Sequence, residues 1–282
     1  MRPRERRPRI VDLVTARGSV RIEDLARELG VSIMTIHRDL DELGEAQVLR
    51  KVRGAATVLP SALFESRAPI RLARQQREKE AIARAALEHV EPGQAIMLDD
   101  STTGIYFARL LPSLAPVTVI TNFLAVMREL GGKPEIRLIG LGGAYFEWAD
   151  AFMGSMTIDA IKSLRADVVV MSTSAITEGV CYHQSQDTVM FKKAMLEAAA
   201  SRILYVDHTK FIRRALHALA PLTSFDLVIV DDQTPHDTLE QLRSTGVPLE
   251  VVPMTSPRSH DGRGPDLNGD RVLPPSEDET AP

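Results

Sequence analysis

The 282-residue chain has one cysteine, one tryptophan and only 5% aromatic residues. A lone Cys181 excludes an internal disulfide framework and any cysteine-rich zinc site. A reducing cytoplasm is the expected compartment. No stretch approaches the roughly 20 apolar residues of a membrane-spanning helix, so no membrane partner is expected. The start is basic, with Arg2, Arg4, Arg6, Arg7 and Arg9. No apolar leader core follows it, because Asp12, Arg17 and Arg21 interrupt the run. The 7 histidines lack zinc-protease spacing, and no metal is expected. There is no phosphate-loop Gly-Lys-Ser/Thr. Gly140-Leu141-Gly142 follows a strand-like run, but the third glycine of a dinucleotide fingerprint falls at Tyr145, whose bulk opposes close helix packing. No cofactor is expected.

What is present is enough for two domains, with 44% apolar residues to build their cores. Net charge is −4, and its distribution is uneven. Residues 1–60 carry 12 Lys+Arg against 9 Asp+Glu, whereas 256–282 carry 3 against 6. A small basic module at one end is the footprint of a nucleic-acid reader. The expected organisation is a DNA-binding domain over 1–58, a linker over 59–76, a sensing domain over 77–255 and a disordered tail over 256–282, rich in Pro, Gly, Asp and Glu.

The first sixty residues read as a helix-turn-helix. Ile10, Leu13 and Val14 give a short helical stripe capped at Gly18. Residues 20–22 form an extended link. An amphipathic helix then runs from Glu23 to Gly30, and Ser32 is a good N-cap for the next. That third helix buries Ile36, Leu40 and Leu43, spaced four and three apart. Ser32, Thr35, His37 and Arg38 remain on its outer face near the N-terminus, where a recognition helix meets base edges. Residues 47–58 read as a hairpin turning at Gly54. Its Arg50, Lys51 and Arg53 suit a wing laid along the DNA backbone.

From about residue 78 the texture changes. A helix over 78–90 is followed by apolar runs at 95–98, 117–120, 136–139, 168–171, 203–206, 227–230 and 249–252. Helical stretches near 104–111, 123–131, 156–164, 188–200 and 237–244 alternate with them. This pattern predicts an α/β domain around a mainly parallel, Rossmann-like sheet covered on both faces. Ligands of such sheets bind beyond the carboxyl ends of the strands. Small, hydroxylic and charged residues gather there: Asp99, Ser101, Thr102 and Thr103, then Thr121 and Asn122, Gly142 and Gly143, and Asp207 with Lys210. Thr102 and Thr103 at a helix start suit an anion. The glycines permit close backbone approach, and Lys210 supplies a point charge for phosphate. Singly, each has a purely structural explanation; together they point to a pocket.

Asp24-Leu25-Ala26, Leu29-Gly30-Val31-Ser32, Thr35-Ile36 and Arg38-Asp39-Leu40 resemble the helix-turn-helix of the DeoR family of bacterial regulators. His37 stands where the family usually has a second arginine, and Arg53-Gly54-Ala55-Ala56 where a His-Gly-Gly-Ala run is usual. The second half resembles the family's sensor domain through Glu78-Lys79, the 99–103 loop, Thr121-Asn122, Gly142-Gly143, Gly154, Lys192 with Ala194-Met195, and the 207–211 run. The resemblance implies a winged helix-turn-helix joined to a sugar-phosphate-isomerase-like domain. It also implies an effector that is a phosphorylated sugar or polyol, with Lys192 among its binding residues. The expected function is a homo-oligomeric regulator, a repressor on a double-stranded DNA operator of a carbohydrate or polyol catabolic operon. An enzyme is the alternative, with Asp99, Asp207, Lys192 and Lys210 available for acid–base work; attachment to a DNA reader favours sensing without turnover.

Overall fold

A computed structural model of the chain describes residues 2–17, 19–45, 48–58 and 65–254. The expected cap at Gly18, the tail over 256–282 and the connector residues 59–64 lie outside the described residues.

The N-terminal part has its own buried core, built from α1 (Pro3–Arg17), α2 (Ile22–Leu29), α3 (Ile33–Glu45) and three short strands. Those strands, β1 (Ser19–Arg21), β2 (Leu49–Val52) and β3 (Ala55–Val58), form an antiparallel sheet in the order β1-β3-β2. The expected extended link is therefore a sheet edge, and Ile22 already belongs to α2. Gly30 ends α2 because it takes φ 63° and returns its N–H to the carbonyl of Ala26. Ser32 starts α3, its Oγ accepting the Thr35 N–H at 3.1 Å. Ile36, Leu40 and Leu43 are fully buried, as their spacing predicts.

One polar contact fixes this core. Asp39 is buried on the inner side of α3, and its carboxylate receives Arg6 Nε at 2.5 Å and Arg7 Nε at 3.0 Å from α1. Arg7 also reaches Glu42. Two helices are thereby held in one relative orientation. The sequence gives Asp39 only as part of a motif; its partners come from 32 and 33 residues away.

The larger part follows. α4 (Ala68–Leu72) and α5 (Gln76–Leu87) lead into β4 (Ala95–Leu98), α6 (Thr102–Leu110), β5 (Val117–Thr121), α7 (Leu124–Leu130) and β6 (Ile136–Gly140). A hairpin of β7 (Ala144–Phe146) and β8 (Ala151–Met153) precedes α8 (Ser155–Lys162) and β9 (Ala166–Met171). Then come β10 (Ala175–Thr177), β11 (Val180–His183), α9 (Gln186–Ala198), β12 (Ala199–Val206), β13 (His217–Pro221), β14 (Leu227–Asp231), α10 (His236–Ser244) and β15 (Leu249–Val252).

All seven apolar runs of the sequence become strands of one seven-stranded sheet, ordered β15-β14-β12-β9-β4-β5-β6. Every pairing in it is parallel. Val168, Val169, Val170 and Met171 are consecutive and all buried, so both faces of β9 are covered. α4 and the short strands β7, β8, β10, β11 and β13 were not legible in the sequence, being too brief to show a period. The order of strands has one functional consequence. From β4 the chain builds β5 and β6 to one side and β9, β12, β14 and β15 to the other. The switch point lies between β4 and β9, and a crevice opens there.

Truncation of Asp39 to alanine removes the buried carboxylate that Arg6 and Arg7 share. The expected loss of stability in the N-terminal core is ~3 kcal/mol or more, measured by chemical denaturation followed by helical circular dichroism.

Candidate functional site

The outer surface of α3 carries the DNA-facing candidates. Arg38 is exposed and His37 half-buried. Ser32 and Thr35 are bonded to each other, Oγ to Oγ1 at 2.8 Å, in the cap that starts the helix. Their hydroxyls therefore hold the helix end. Two residues that the sequence reading passed over stand beside them. Ile33 is 48% exposed and Met34 is 64% exposed, although both are large and apolar. Met34 precedes Arg38 by one helical turn, so the two share a face. For Met34 the signal was available: it falls off the 36/40/43 stripe and still is not polar, whereas Ile33 lies in line with that stripe and its exposure was not legible. On the wing, Arg50 and Arg53 are exposed, and Gly54 makes the turn at φ 72°. Lys51 is paired with Asp41 of α3 at 2.8 Å, which fastens the wing to the recognition helix.

The second site is a cavity at the switch point. Ser101, Thr102 and Thr103 from the β4–α6 loop and Ser172, Thr173 and Ser174 after β9 line it. Asp207, Lys210 and Arg213 after β12, His183 from β11 and Lys192 from α9 join them. The wall is completed by Glu65, Arg71, Arg74 and Lys79, from the connector, α4 and α5. Its free volume is about 30 Å³, room for one or two water molecules.

Asp99 organises its floor. Fully buried, it accepts hydrogen bonds from Ser101 N at 3.1 Å, Ser172 N at 2.9 Å and Lys192 Nζ. Lys192 also donates to Ser172 O at 3.0 Å and lies 3.3 Å from Asp100 Oδ1. Burial opposes its charge, but Asp99 and Asp100 reverse this and raise its pKa above the ordinary lysine value. Ser101 turns inward: its Oγ accepts the Gly104 N–H at 3.2 Å as the cap of α6 and meets the Tyr205 hydroxyl at 3.0 Å. Thr102 and Thr103 are left to face the cavity.

The outer wall is rich in cations. Lys79 donates to the carbonyls of Arg71 and Arg74, fixing the turn between α4 and α5. Burial and the neighbouring Arg213 lower Arg74 to about 10. Burial likewise brings Lys210 down to about 8, although Asp207 favours its charge. Burial works against the Asp207 carboxylate too, but Lys210, Arg213 and Lys79 hold its pKa well below the usual range. His183 is neutral: burial drops it to about 3, and its Nδ1 accepts from Ser185 N at 3.1 Å. Arg71 Nε, Arg71 Nη2 and Arg74 Nε are buried without hydrogen-bond partners. Unsatisfied guanidinium N–H groups at that depth call for an oxyanion.

Residues 6–62 match the DeoR-like helix-turn-helix domain, and residues 74–232 match the DeoR C terminal sensor domain. The chain belongs to the DeoR family. It is a DNA-binding transcriptional regulator, a helix-turn-helix reader followed by an α/β sensor. Among its DeoR-family relatives, it is 31% identical over 252 residues to the glycerol-3-phosphate regulon repressor of Escherichia coli strain K12, covering 89% of this chain and 100% of that one. It is 30% identical over 252 residues to a putative aga operon transcriptional repressor of Escherichia coli O157:H7, covering 88% and 93%. It is 32% identical over 231 residues to the L-fucose operon activator of Escherichia coli strain K12, covering 81% and 95%. A slighter likeness, at TM-score 0.35 and 18% identity over 47% of this chain and 53% of the other, is to ribose 5-phosphate isomerase A of Methanocaldococcus jannaschii. No helix among the described residues is long and apolar enough to cross a membrane.

The structure brings Ser101, Thr102, Thr103, Lys192, Asp207 and Lys210 to one cavity, with Asp99 beneath. It does not bring Thr121, Asn122, Gly142 and Gly143 there. They follow β5 and β6, on the far side of β4 from the cavity. Asn122 Nδ2 donates to Phe152 O at 2.8 Å, Thr121 Oγ1 accepts Phe123 N at 3.1 Å, and Gly142 O accepts Thr157 Oγ1 at 2.8 Å. These residues brace the β7–β8 hairpin. Glu65, Arg71, Arg74, His183 and Arg213 were missed, because nothing in their local sequence marks them as neighbours of the strand ends. Cys181 is buried and its thiol is pushed up to about 12 by desolvation, which makes it inert.

Gly143 sits at φ 150°, and a Cβ there would lie 2.2 Å from Thr157 Oγ1 and 2.7 Å from Met153 O. Gly143→Ala is expected to cost about 1–3 kcal/mol, read from thermal or urea unfolding of the sensor domain.

Proposed function

We propose that this DeoR-family regulator is a homo-oligomeric repressor that binds paired half-sites in an operator of a carbohydrate or polyol catabolic operon, and that a phosphorylated sugar or polyol in the switch-point cavity releases it. The observation that carries the effector reading is the cavity wall. Unsatisfied N–H groups of Arg71 and Arg74 stand with Lys210 and Arg213 opposite the hydroxyls of Thr102 and Thr103. A dianionic phosphoryl group satisfies both the charge and the open donors. Ser172, Thr173 and Ser174 supply polar groups for the ligand's hydroxyls. The glycerol-3-phosphate regulon repressor and the aga operon repressor among the relatives agree with this reading by name.

Sensing without turnover is the fitting role. Asp99 is saturated by two backbone N–H groups and an ammonium, and Lys192 is held charged between two carboxylates. Neither is free to exchange a proton with a substrate. On the DNA side, a symmetric oligomer presents two α3 helices to two half-sites. Arg38 and His37 offer hydrogen bonds to base edges, and exposed Met34 offers apolar surface to a thymine methyl. Arg50, Lys51 and Arg53 serve the phosphates.

A gel-shift titration on the DNA upstream of its gene, with and without a panel of sugar and polyol phosphates, tests the reading directly. Retardation relieved by one of them is expected; no retardation at any salt concentration would overturn it. Arg38→Ala is expected to weaken operator binding by about 10-fold or more while leaving weak non-specific binding in place. Measured turnover of any of these phosphates would overturn the sensing role.

Lys210 gives a pH dependence with a definite sign. Its pKa of about 8 means that it loses charge as pH rises from 7 to 9. The ligand phosphoryl stays dianionic there, its second pKa being about 6. Effector affinity is therefore expected to fall with rising pH, by up to ~10-fold between pH 7 and 9. Lys210→Arg, which keeps its charge throughout, is expected to flatten the fall in isothermal titration at pH 7, 8 and 9.

A further inference from the structure

The connector that leaves the DNA reader ends inside the effector cavity. Glu65 comes seven positions after Val58, the last residue of β3. Its side chain is 5% exposed. One carboxylate oxygen accepts a hydrogen bond from Ser174 Oγ and lies 3.9 Å from His183 Nε2. His183 Nδ1 is occupied as an acceptor, so its proton sits on Nε2 and points toward Glu65. Burial raises the cost of its charge, but Arg71, Lys210 and Arg213 outweigh that and draw the carboxyl down to about 2. It is fully ionised at neutral pH. The free volume beside it, about 30 Å³, is too small for a sugar phosphate. For such a ligand to sit wholly inside, part of the wall must give way; several loops line it, and of these the connector, 65–67, is the one that leads to the DNA reader.

The same cations face the DNA reader. Asp12 of α1, exposed on its helix, lies within the electrostatic reach of Arg74 and Arg213. Ile70 of α4 packs against the core of the N-terminal part. Arg74 and Arg213 therefore border the cavity on one side and a helix of the reader on the other.

We propose that Glu65 is a built-in counter-charge in the anion site: an effector phosphoryl group that binds Arg71, Lys210 and Arg213 displaces it from Ser174, expels residues 65–67 from the cavity, and draws Arg74 and Arg213 away from Asp12. This rests on the reading of the cavity as a phosphoryl-ligand site and adds to it the residues through which occupancy reaches the DNA reader. Two anions of the chain, one on the connector and one on α1, compete with the ligand for one set of cations. Effector affinity is then reduced by the fraction of molecules in which Glu65 is seated. Effector and DNA weaken each other by the same factor.

The test uses full-length protein, inorganic phosphate as the probe, and the DNA upstream of its own gene. Glu65→Gln keeps the shape and removes the charge. It is expected to bind phosphate at least 10-fold more tightly than the wild type by isothermal titration, and to release DNA at correspondingly lower phosphate. Asp12→Asn is expected to bind phosphate within about threefold of the wild type yet lose most of the phosphate effect on DNA. Hydrogen–deuterium exchange on the wild type gives a readout independent of any variant. Phosphate is expected to speed exchange in the peptide carrying Ser66 and Arg67 while slowing it at Thr102–Leu110. If the wild type binds phosphate but Glu65→Gln binds it no better, or if phosphate slows exchange at Ser66 and Arg67, the displacement proposal is overturned and the cavity assignment stands. If neither protein binds phosphate or any sugar phosphate, the cavity assignment itself falls and takes this proposal with it.

Discussion

The sensor depends on one buried carboxylate. Asp99, at the end of β4, accepts from Ser101 N, Ser172 N and Lys192 Nζ at once. Taking a carboxylate and an ammonium out of water costs several kcal/mol each. The pair persists because nearly every donor and acceptor on it is used: Lys192 also meets Asp100 and Ser172 O. The result is a knot joining the loop after β4, the loop after β9 and helix α9. Those three elements are the floor of the switch-point cavity. With the floor rigid, ligand entry is left to alter the outer wall.

The DNA reader is organised by the same device. Asp39 gathers Arg6 and Arg7 beneath α3 and so fixes how α1 crosses it. The apolar residues Ile36, Leu40 and Leu43 would bury against many surfaces of similar shape; the charged contact specifies one. With the inner side of α3 committed, Met34 and Arg38 are turned outward together. Ser32 and Thr35, which read as base-contacting residues from the sequence, are engaged in the cap that starts the helix.

Between these two rigid ends lies the cation-rich wall of Arg71, Arg74, Lys79, Lys210 and Arg213. Like charges are crowded there, and burial, with Arg213 beside them, lowers both Arg74 and Lys210. Such a cluster is stable only while anions accompany it. Asp207 is a permanent companion, held by its own hydrogen bonds to Thr209. Glu65 and Asp12 come from the connector and from α1. Among the described residues, these cations lie between the cavity and α1, and in the proposed mechanism they couple the two, because a ligand shifts only an equilibrium whose two states it binds differently.

Much of this was already decided by the sequence alone. Helical spacing fixed the buried face of α3, Gly30 and Ser32 fixed its turn, and seven apolar runs fixed the seven parallel strands. These are local properties: side-chain periodicity and backbone preference act within a few residues. The gathering of Thr102, Thr103, Asp207 and Lys210 was also legible, because parallel strands place their carboxyl ends at one edge of a sheet. Strand order was not legible. It set Thr121, Asn122, Gly142 and Gly143 apart from that cavity, beyond β4, where they brace a hairpin. Nor did any spacing announce that Glu65, Arg71, Arg74 and Arg213 would close the wall, or that Arg6 would find Asp39. Those pairings join residues far apart in the chain, and only the packing of the tertiary structure, which sets charge against charge at a distance of ångströms, decides them.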